Sequence, residues 1–338
     1  MTRGTAVAEA PRQMTPGGPS ASTERAKAFV EERLPRAVEL GRALAEDVQD
    51  PEAAAARLGR ALASLADPEY REGQHVVAPG LGATYGVRTP LLTAVGRGFT
   101  QATRRDSSAT LLLVADRLLR AQELEARWFA VGILDRTLAM EPERTWQLLR
   151  RAAREAEDWI TVDTLAHPVS RGILAEPYRW AELEQLLFSP SRWERRLVGS
   201  TIATMPFADR QRGREPHVAG RGLAILAQLI GDAEPDVQRA LAWAYRSMTV
   251  VDLAATTAAL EDQAERAVST PDGGDGHRAW VVRDALPKLD PAVAARLRTR
   301  LEGIRRRPNT PSTSTAAATA AQFAAMGLGR PVAEPPLT

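Results

Sequence analysis

The feature of this sequence that most constrains its fold is the regular interruption of helical patterns by proline or glycine. Between residues 23 and 307, apolar residues recur at helical spacing, and a Pro or Gly break comes roughly every 12 to 20 residues. Apolar positions at i, i+3, i+4 and i+7 are typical of amphipathic helices, whereas a half-buried strand would alternate residue by residue. We find no convincing alternation of that kind. The sequence therefore predicts an all-α chain built from many short helices.

These breaks delimit fourteen predicted helices. Several of them begin with a polar residue directly before proline, which indicates a helix start because the polar side chain can cap the helix and proline suits its first turn. These pairs are Asp50–Pro51, Thr89–Pro90 and Ser189–Pro190. The approximate predicted ranges are 23–47, 51–66, 90–103, 107–120, 123–140, 143–156, 158–174, 179–187, 191–204, 217–230, 235–248, 251–268, 278–286 and 291–306.

Three of these helices share much of one outline, apolar–x–x–x–apolar–apolar–small, at residues 124–130, 193–199 and 237–243. Trp159 opens another helix between the first two, so the starting points are 35, 34 and 44 residues apart. Helix pairs that repeat at this length are typical of HEAT-like solenoids, in which each repeat buries its face only against its neighbours. We therefore predict a curved α-solenoid forming one domain over residues 23–307, although alanine-rich helices of an ordinary bundle would produce part of the same pattern.

The two ends of the chain have a different composition. Residues 1–22 and 308–338 are rich in Pro, Ser, Thr, Ala and Gly, a composition that favours disorder because it offers little apolar surface to bury. The first 22 residues contain no apolar stretch of the kind found in a signal peptide. We expect two disordered tails.

Composition also excludes several chemistries. The chain contains no cysteine, which excludes disulfides, thiolate metal sites and cysteine nucleophiles and fits a reducing cytoplasm. Its four histidines are far apart in sequence and form no H-x₃-H or HExxH pair, so we expect no metal site and no cofactor. An apolar run of 18 residues is lacking, and a membrane span is not expected. The expected localisation is cytoplasmic.

The positive charge is almost entirely arginine. The formal net charge is only +2, yet all but two of the 44 Lys and Arg residues are arginine, the exceptions being Lys27 and Lys288. This bias has two interpretations. GC-rich coding favours Arg and Ala, and the guanidinium fork also suits phosphate binding. Runs such as Arg150–Arg151 and Arg305–Arg307 usually form solvated faces, but they could add to a DNA track if they lie on the inner side of a solenoid.

Four stretches, in this order, resemble motifs of the AlkD-like DNA alkylation repair family. The resemblance spans about residues 70–250. The family patterns are F/Y-G-V/I-x-x-P, acidic-x-x-x-x-Ala, W-D-x-V-D, and W-x-x-R-A with a later K-A-x-x-W-x-L-R helix. The matching stretches are Tyr85–Pro90 (YGVRTP), 123–130 (ELEARWFA), Asp158–Asp163 (DWITVD), and 193–196 (WERR) with 237–246 (VQRALAWAYR).

The match to the family patterns has two departures. Ile160 stands where the family has an acidic residue directly after the tryptophan. The segment Gln74–Val77 lies where an early family helix often carries an aromatic residue, and it contains none. One wall of a family-like site could therefore be altered.

Trp159 and Asp163 are the residues of these motifs that bear most directly on chemistry. They are four positions apart, so they lie one turn apart on one helix face. A buried carboxylate without a partner costs several kcal/mol, which leaves two interpretations. Asp163 is either solvated or paired with an arginine for structural reasons, or it faces a cleft where positive charge appears.

The resemblance implies a HEAT-repeat glycosylase that hydrolyses the N-glycosidic bond of cationic N3- or N7-alkylated purines in duplex DNA. In this interpretation Asp163 stabilises the sugar oxocarbenium ion, and Trp159 and Trp243 present indole faces to the cationic sugar and base. Residues expected to bind DNA are Arg196, Arg246, Arg239 and Trp193. No lysine is near these motifs to form a Schiff base, so a monofunctional enzyme without lyase activity is expected.

Two other functions fit the same sequence. A HEAT-repeat protein could bind damaged or branched DNA and cleave nothing, which the Ile160 departure favours. A solenoid could also serve as a scaffold for proteins, as many do. We expect Trp128, Trp146, Trp180 and Trp280 to pack within or between repeats rather than to act in a site.

Overall fold

The computed structural model describes residues 20–78 and 81–328, and within these ranges every regular element is a helix and no strand occurs. The prediction of an all-α chain is confirmed. The helices are α1 Ala21–Leu44, α2 Pro51–Ser64, α3 Pro68–Val77, α4 Thr89–Ala102, α5 Ser108–Leu119, α6 Leu124–Thr137, α7 Pro142–Glu155, α8 Trp159–Ala175, α9 Trp180–Gln185, α10 Arg192–Ala208, α11 Pro216–Leu229, α12 Pro235–Met248, α13 Leu253–Ser269, α14 Gly276–Ala285, α15 Pro291–Arg300 and α16 Thr315–Ala325.

Helix starts follow the local rules for capping. The Asp50 carboxylate accepts hydrogen bonds from the backbone N–H groups of residues 52 and 53, at 3.0 and 3.1 Å, and Pro51 is the first residue of α2. Asp158 caps α8 in the same way through the N–H of residue 161. Two predicted caps were wrong. Thr89 is already the first residue of α4, and Ser191, not Ser189, caps α10.

Helices α4, α6, α8, α10, α12 and α14 pack side by side in this order, and we call them the central row. A second layer, which includes α5, α7, α11 and α13, packs behind them. The row helices from α6 onward run parallel. Near the starts of α6 and α8, Arg127 approaches Asp158, and near their ends Arg171 bonds to Asp135. This succession of helix pairs confirms the helical-repeat fold.

Small residues let neighbouring row helices approach closely. At Gly199 of α10, a Cβ atom would lie only 2.8 Å from the backbone carbonyl carbon of Ala240 in α12. A close-packed crossing of this kind fixes the two helices relative to each other, since a larger side chain would push them apart. One continuous apolar cluster, extending from α1 to α16, holds the whole array together.

The structure differs from the sequence prediction at two helices. Helix α3 was not predicted, and α16 lies inside the segment expected to be a disordered tail. Ala316, Ala317 and Ala320 of α16 are buried, and this helix packs on α11 and on the 3-10 turn Leu186–Phe188. The other tail positions, 1–19 and 329–338, lie outside the described residues. Within the described part of the chain, no helix combines the length and apolarity needed to cross a membrane.

Candidate functional site

Asp163 lies in the second turn of α8, and its carboxylate is held by two side chains of α10. Oδ1 accepts hydrogen bonds from Arg196 Nε at 3.1 Å and from Ser200 Oγ at 2.6 Å. Oδ2 accepts one from Arg196 Nη2 at 2.7 Å. An ionised carboxylate offers about four acceptor positions, so these bonds leave one on Oδ2 to which no donor among the described residues bonds. With 21% of its side chain exposed, Asp163 can accept a further hydrogen bond from outside the protein.

Arg196 connects three helices of the central row. Besides its two bonds to Asp163, it donates through Nη1 to the backbone carbonyl of Asp236 in α12 at 2.6 Å. Its guanidinium carbon lies 5.7 Å from the centre of the Trp159 ring, within the range of a cation–π contact. Only 6% of the Arg196 side chain is exposed. The guanidinium therefore serves as a rigid clamp that sets the orientation of the Asp163 carboxylate.

Trp159, the first residue of α8, covers a small apolar cluster formed by Ala78, Leu81 and Leu124. Trp128 of α6 and Ile160 pack against the same cluster. The isoleucine that departs from the family pattern is thus part of this apolar floor.

Helix α12 contributes a stripe of four residues next to the Asp163–Arg196 pair. Asp236, Arg239, Trp243 and Arg246 are spaced three, four and three apart, which places them on one helix face. Arg239 is exposed and donates to the Asp236 carboxylate at 3.1 Å, and Trp243 is half-buried. Trp243 is two turns from Asp236, or about 10 Å along the helix axis. The stripe therefore begins beside the pair and runs along the axis of α12.

The remaining residues predicted to bind DNA have partners of their own. Arg246 donates to the backbone carbonyl of Asp284 at 2.8 Å and to its carboxylate at 2.5 Å. Trp193, at the start of α10, lies under the Arg192 guanidinium at 4.6 Å. The structure therefore brings Trp159, Asp163 and Arg196 into one cluster and leaves the other predicted residues outside it, Trp193 on α10 and the rest on α12.

Every helix of the central row from α6 to α14 carries a tryptophan. Each of these five consecutive helices carries one half-buried tryptophan, namely Trp128, Trp159, Trp193, Trp243 and Trp280. The two tryptophans of the second layer, Trp146 and Trp180, are buried, as expected for packing residues. Trp128 also lines a groove of about 310 Å³ between α4 and α6. Aromatic surface is thus available on both sides of Asp163.

A second aspartate–arginine pair lies one helix interval away. Asp135 of α6 accepts from Arg171 Nη1 of α8 at 2.7 Å, and His167 Nδ1 lies 3.4 Å from the same oxygen. Burial raises the pKa of Asp135, but the hydrogen bonds from His167 and Arg171 outweigh it and hold that pKa below its ordinary value. Among the described residues, no tryptophan ring lies against Arg171. This pair has the geometry of an ion pair without the aromatic surroundings.

Glu125 is a buried carboxylate with an architectural role. It is fully buried and accepts bonds from Thr84 Oγ1 at 2.7 Å and from the backbone N–H groups of Tyr85, Gly86 and Val87 at 2.8–3.0 Å. Gly86 adopts a φ of +79°, which favours glycine. The first two family-like motifs, 85–90 and 123–130, therefore interact directly, and the Glu125 bonds fix the loop before α4. We call this set of bonds the Glu125 lock.

Sequence reasoning missed two groups that complete the site. Ser200 lies one turn after Arg196 on the same face of α10, a spacing that could have indicated it. The backbone carbonyl of Asp236 carries no sequence signal, because it depends on how α12 packs against α10. In the described part of the chain, no group of three or more carboxylates and histidines could hold a metal ion.

A comparison with models of protein families matches residues 58–289 to the family described as "DNA alkylation repair enzyme". The match covers well over half of the chain and includes the whole of the Asp163 site. The chain belongs to this family. It is therefore an enzyme of DNA repair, and its partner is DNA.

The family match begins within α2 and ends at Leu289, just after α14. Helices α1, α15 and α16 lie outside it. Parallel searches of curated proteins and of solved structures found no match.

Proposed function

We propose that this DNA alkylation repair enzyme is a monofunctional glycosylase, which hydrolyses the N-glycosidic bond of cationic N3- and N7-alkylated purines in duplex DNA. The observation that carries the proposal is the Asp163 carboxylate. It is oriented by Arg196 and Ser200, lies one turn from the Trp159 indole, and keeps one acceptor position open.

The reaction needs little more than stabilisation of positive charge. Alkylation at N3 or N7 makes the purine cationic, so the bond from the base nitrogen to C1′ is already weakened. When this bond breaks, its electron pair stays with the base, which departs neutral, and the sugar becomes an oxocarbenium ion. Water then adds to C1′ and loses a proton. A carboxylate fixed beside C1′ stabilises the developing charge without having to reorganise.

Arg196 and Ser200 are positioning residues in this mechanism. Their three hydrogen bonds hold the Asp163 carboxylate in one rotamer and leave the fourth acceptor position for the sugar or the attacking water. Because Arg196 is itself held by the Asp236 carbonyl, the carboxylate is fixed before DNA binds. Such preorganisation is what electrostatic catalysis requires.

The indoles and the exposed arginine complete the proposed DNA contact. A cation beside an indole face gains roughly 0.5–2 kcal/mol, depending on desolvation, so Trp159 and Trp243 would favour both the cationic lesion and the charged sugar. Arg239 does not bond to Asp163, and its side chain is exposed apart from its bond to Asp236. It is therefore suited to a phosphate contact. Because the chain has only two lysines, in α1 and after α14, no amine of this site can form a Schiff base, and the abasic strand stays intact.

The test is release of free base from duplex DNA containing 7-methylguanine or 3-methyladenine. We expect the wild type to release both, and Asp163→Asn to lower the single-turnover rate by about 100-fold or more, the usual effect of removing one charge-stabilising group. Asp135→Asn is the matched control, because it removes a carboxylate from a similar ion pair one helix away, and it should retain the wild-type rate. Equal rates for wild type and Asp163→Asn would contradict the assigned role of Asp163.

The second candidate function is binding of damaged or branched DNA without catalysis. The observation that favours it is the same ion pair, since Arg196 neutralises the carboxylate that the mechanism uses. Binding that weakens steeply with salt, together with no base release from either lesion, would establish this function and exclude the glycosylase.

A further inference from the structure

Beyond the family match, the C-terminal segment places three consecutive arginines against the loop that precedes α14. Arg305, Arg306 and Arg307 line a cavity of about 230 Å³ together with residues 270–272 and 274–277. Gly273 and Gly274 of this loop adopt φ values of +94° and +87°, and Arg307 Nη2 would lie 3.0 Å from a Cβ atom at Gly273. A Cβ atom at that position would crowd the end of the Arg307 side chain, so the guanidinium lies directly against the loop, and the positive φ itself favours glycine.

In the part of the chain that the structure describes, carboxylates balance only part of the positive charge at this cavity. Among residues 20–78 and 81–328, none of the three arginines forms an ion pair with a carboxylate. Two carboxylates also line the cavity. Asp272 is exposed, and Asp275 is already bonded by Arg278 and by Thr313. Arg283 adds a further positive charge nearby, and its bonds to described residues go to the backbone carbonyls of Leu301 and Ile304. Such an excess of guanidinium groups around a cavity calls for an anionic partner.

Arg306 anchors this arginine run to the central row. Its guanidinium carbon lies 5.1 Å from the centre of the Trp280 ring, and its Nη1 donates to Gln238 Oε1 at 2.7 Å. Gln238 lies in the first turn of α12, and Trp280 in the second turn of α14. The Asp163–Arg196 pair likewise lies in the first two turns of α8 and α10. Since these helices run parallel, the arginines lie at the same end of the row as the proposed catalytic site.

We propose that Arg305 and Arg307 bind phosphates of duplex DNA away from the lesion, extending the DNA track of the repair site beyond the part of the chain that the family model covers. Three helix intervals separate α8 from α14, and at 8–10 Å each they amount to roughly 25–30 Å. With a rise of 3.4 Å per base pair, this distance is about seven to nine base pairs. The inference rests on the DNA-binding role of the site, not on its glycosylase chemistry.

The test is the salt dependence of binding to an undamaged 24-base-pair duplex, measured by fluorescence anisotropy. Each phosphate contact contributes about 0.9 to the slope of log K against log salt. The double variant Arg305→Gln/Arg307→Gln should therefore lower the slope by about 1 to 2 and weaken binding at low salt about tenfold or more. The charge-preserving variant Arg305→Lys/Arg307→Lys should stay close to the wild type.

The matched control is Arg144→Gln/Arg154→Gln on α7 in the second layer. It removes the same two charges from exposed arginines that form no ion pair within the described residues. If this control lowers the slope as much as the Arg305/Arg307 variant, or if the latter binds like the wild type, the proposal is wrong. Thermal unfolding of each variant checks its fold. Because undamaged DNA is used, the result does not depend on base release. The failure of the glycosylase proposal would therefore leave the outcome of this binding test open.

Discussion

Glu125 and Asp163 are both carboxylates held by several donors, but the donors differ in kind. Glu125 receives three backbone N–H groups and a hydroxyl from residues 84–87, and it is fully buried. The bonds that described residues make to the Asp163 carboxylate come from the side chains of Arg196 and Ser200, and Asp163 remains partly exposed. Glu125 accepts four hydrogen bonds from the fold and is out of reach of solvent, whereas Asp163 accepts three and remains accessible to a ligand. Glu125 therefore belongs to the architecture.

We predict that Glu125→Gln destabilises the protein by about 3 kcal/mol, because the amide nitrogen faces donors and leaves buried N–H groups unpaired. Urea denaturation followed by circular dichroism measures the change. Glu123→Gln is the control, since Glu123 is half-buried and its side chain makes no capping bond to α6, and it should change the unfolding free energy by less than about 0.5 kcal/mol. A similar loss of unfolding free energy in both variants would contradict the structural role assigned to Glu125.

At the residue scale the sequence predicted part of the site. Trp159, Asp163 and Arg196 were selected from motif order, and the structure places them in contact. Their catalytic and DNA-binding roles remain predictions. Ser200 and the Asp236 carbonyl were missed because hydroxyls and backbone groups become specific only through the register of α8, α10 and α12. That register is set by packing, for example at Gly199, and no local pattern encodes it.

At the scale of helices, prediction succeeded where proline or a capping side chain marks a start. Helices α2, α7, α11 and α12 begin at or within one residue of the predicted position, and each has proline in its first turn. Helix α3 was missed although it also begins with proline, because only Gln74 of its residues is buried and no apolar stripe is visible. Proline indicates where a helix can begin, but sequence analysis identifies the helix only when an apolar face accompanies it.

Two glycines of the central row differ in whether a neighbouring helix packs against them. A Cβ atom at Gly132 of α6 would meet nothing within 4 Å, whereas at Gly199 of α10 it would lie 2.8 Å from the backbone of Ala240. Glycine inside a helix costs roughly 0.5–1 kcal/mol relative to alanine. We predict that Gly132→Ala stabilises the protein by that amount, and that Gly199→Ala destabilises it by about 1–3 kcal/mol through overpacking. Denaturant unfolding of both variants checks this, and a loss of stability in Gly132→Ala would contradict it.

At the scale of the whole molecule, the array is closed by a segment whose composition gave no sign of structure. The chain after α15 returns to the earlier repeats. Thr313 N–H donates to the Gly231 carbonyl, the N–H of residue 233 donates to Ser312 Oγ, and His277 contacts the Thr310 carbonyl. Alanine supplies the buried face of α16, and alanine is small enough that its burial is decided by the partner surface, not by local hydrophobicity. The disordered tail predicted from Pro308 was therefore wrong for residues 315–325.

This closure can be tested with one charge. Ala320 of α16 is fully buried, and Ala324, four residues later, is exposed. Burying an unpaired carboxylate costs several kcal/mol, so Ala320→Glu should detach α16 from α11, while Ala324→Glu should leave it in place. In a repeat array each unit is stabilised mainly by its neighbours. Hydrogen exchange should therefore show lost protection in α16 and at residues 231–233, with α4 and α6 unchanged. Unchanged protection of α16 in Ala320→Glu would mean that this helix is not packed as described. Loss of protection across all repeats would mean that the array unfolds as one unit and that α16 stabilises even its far end.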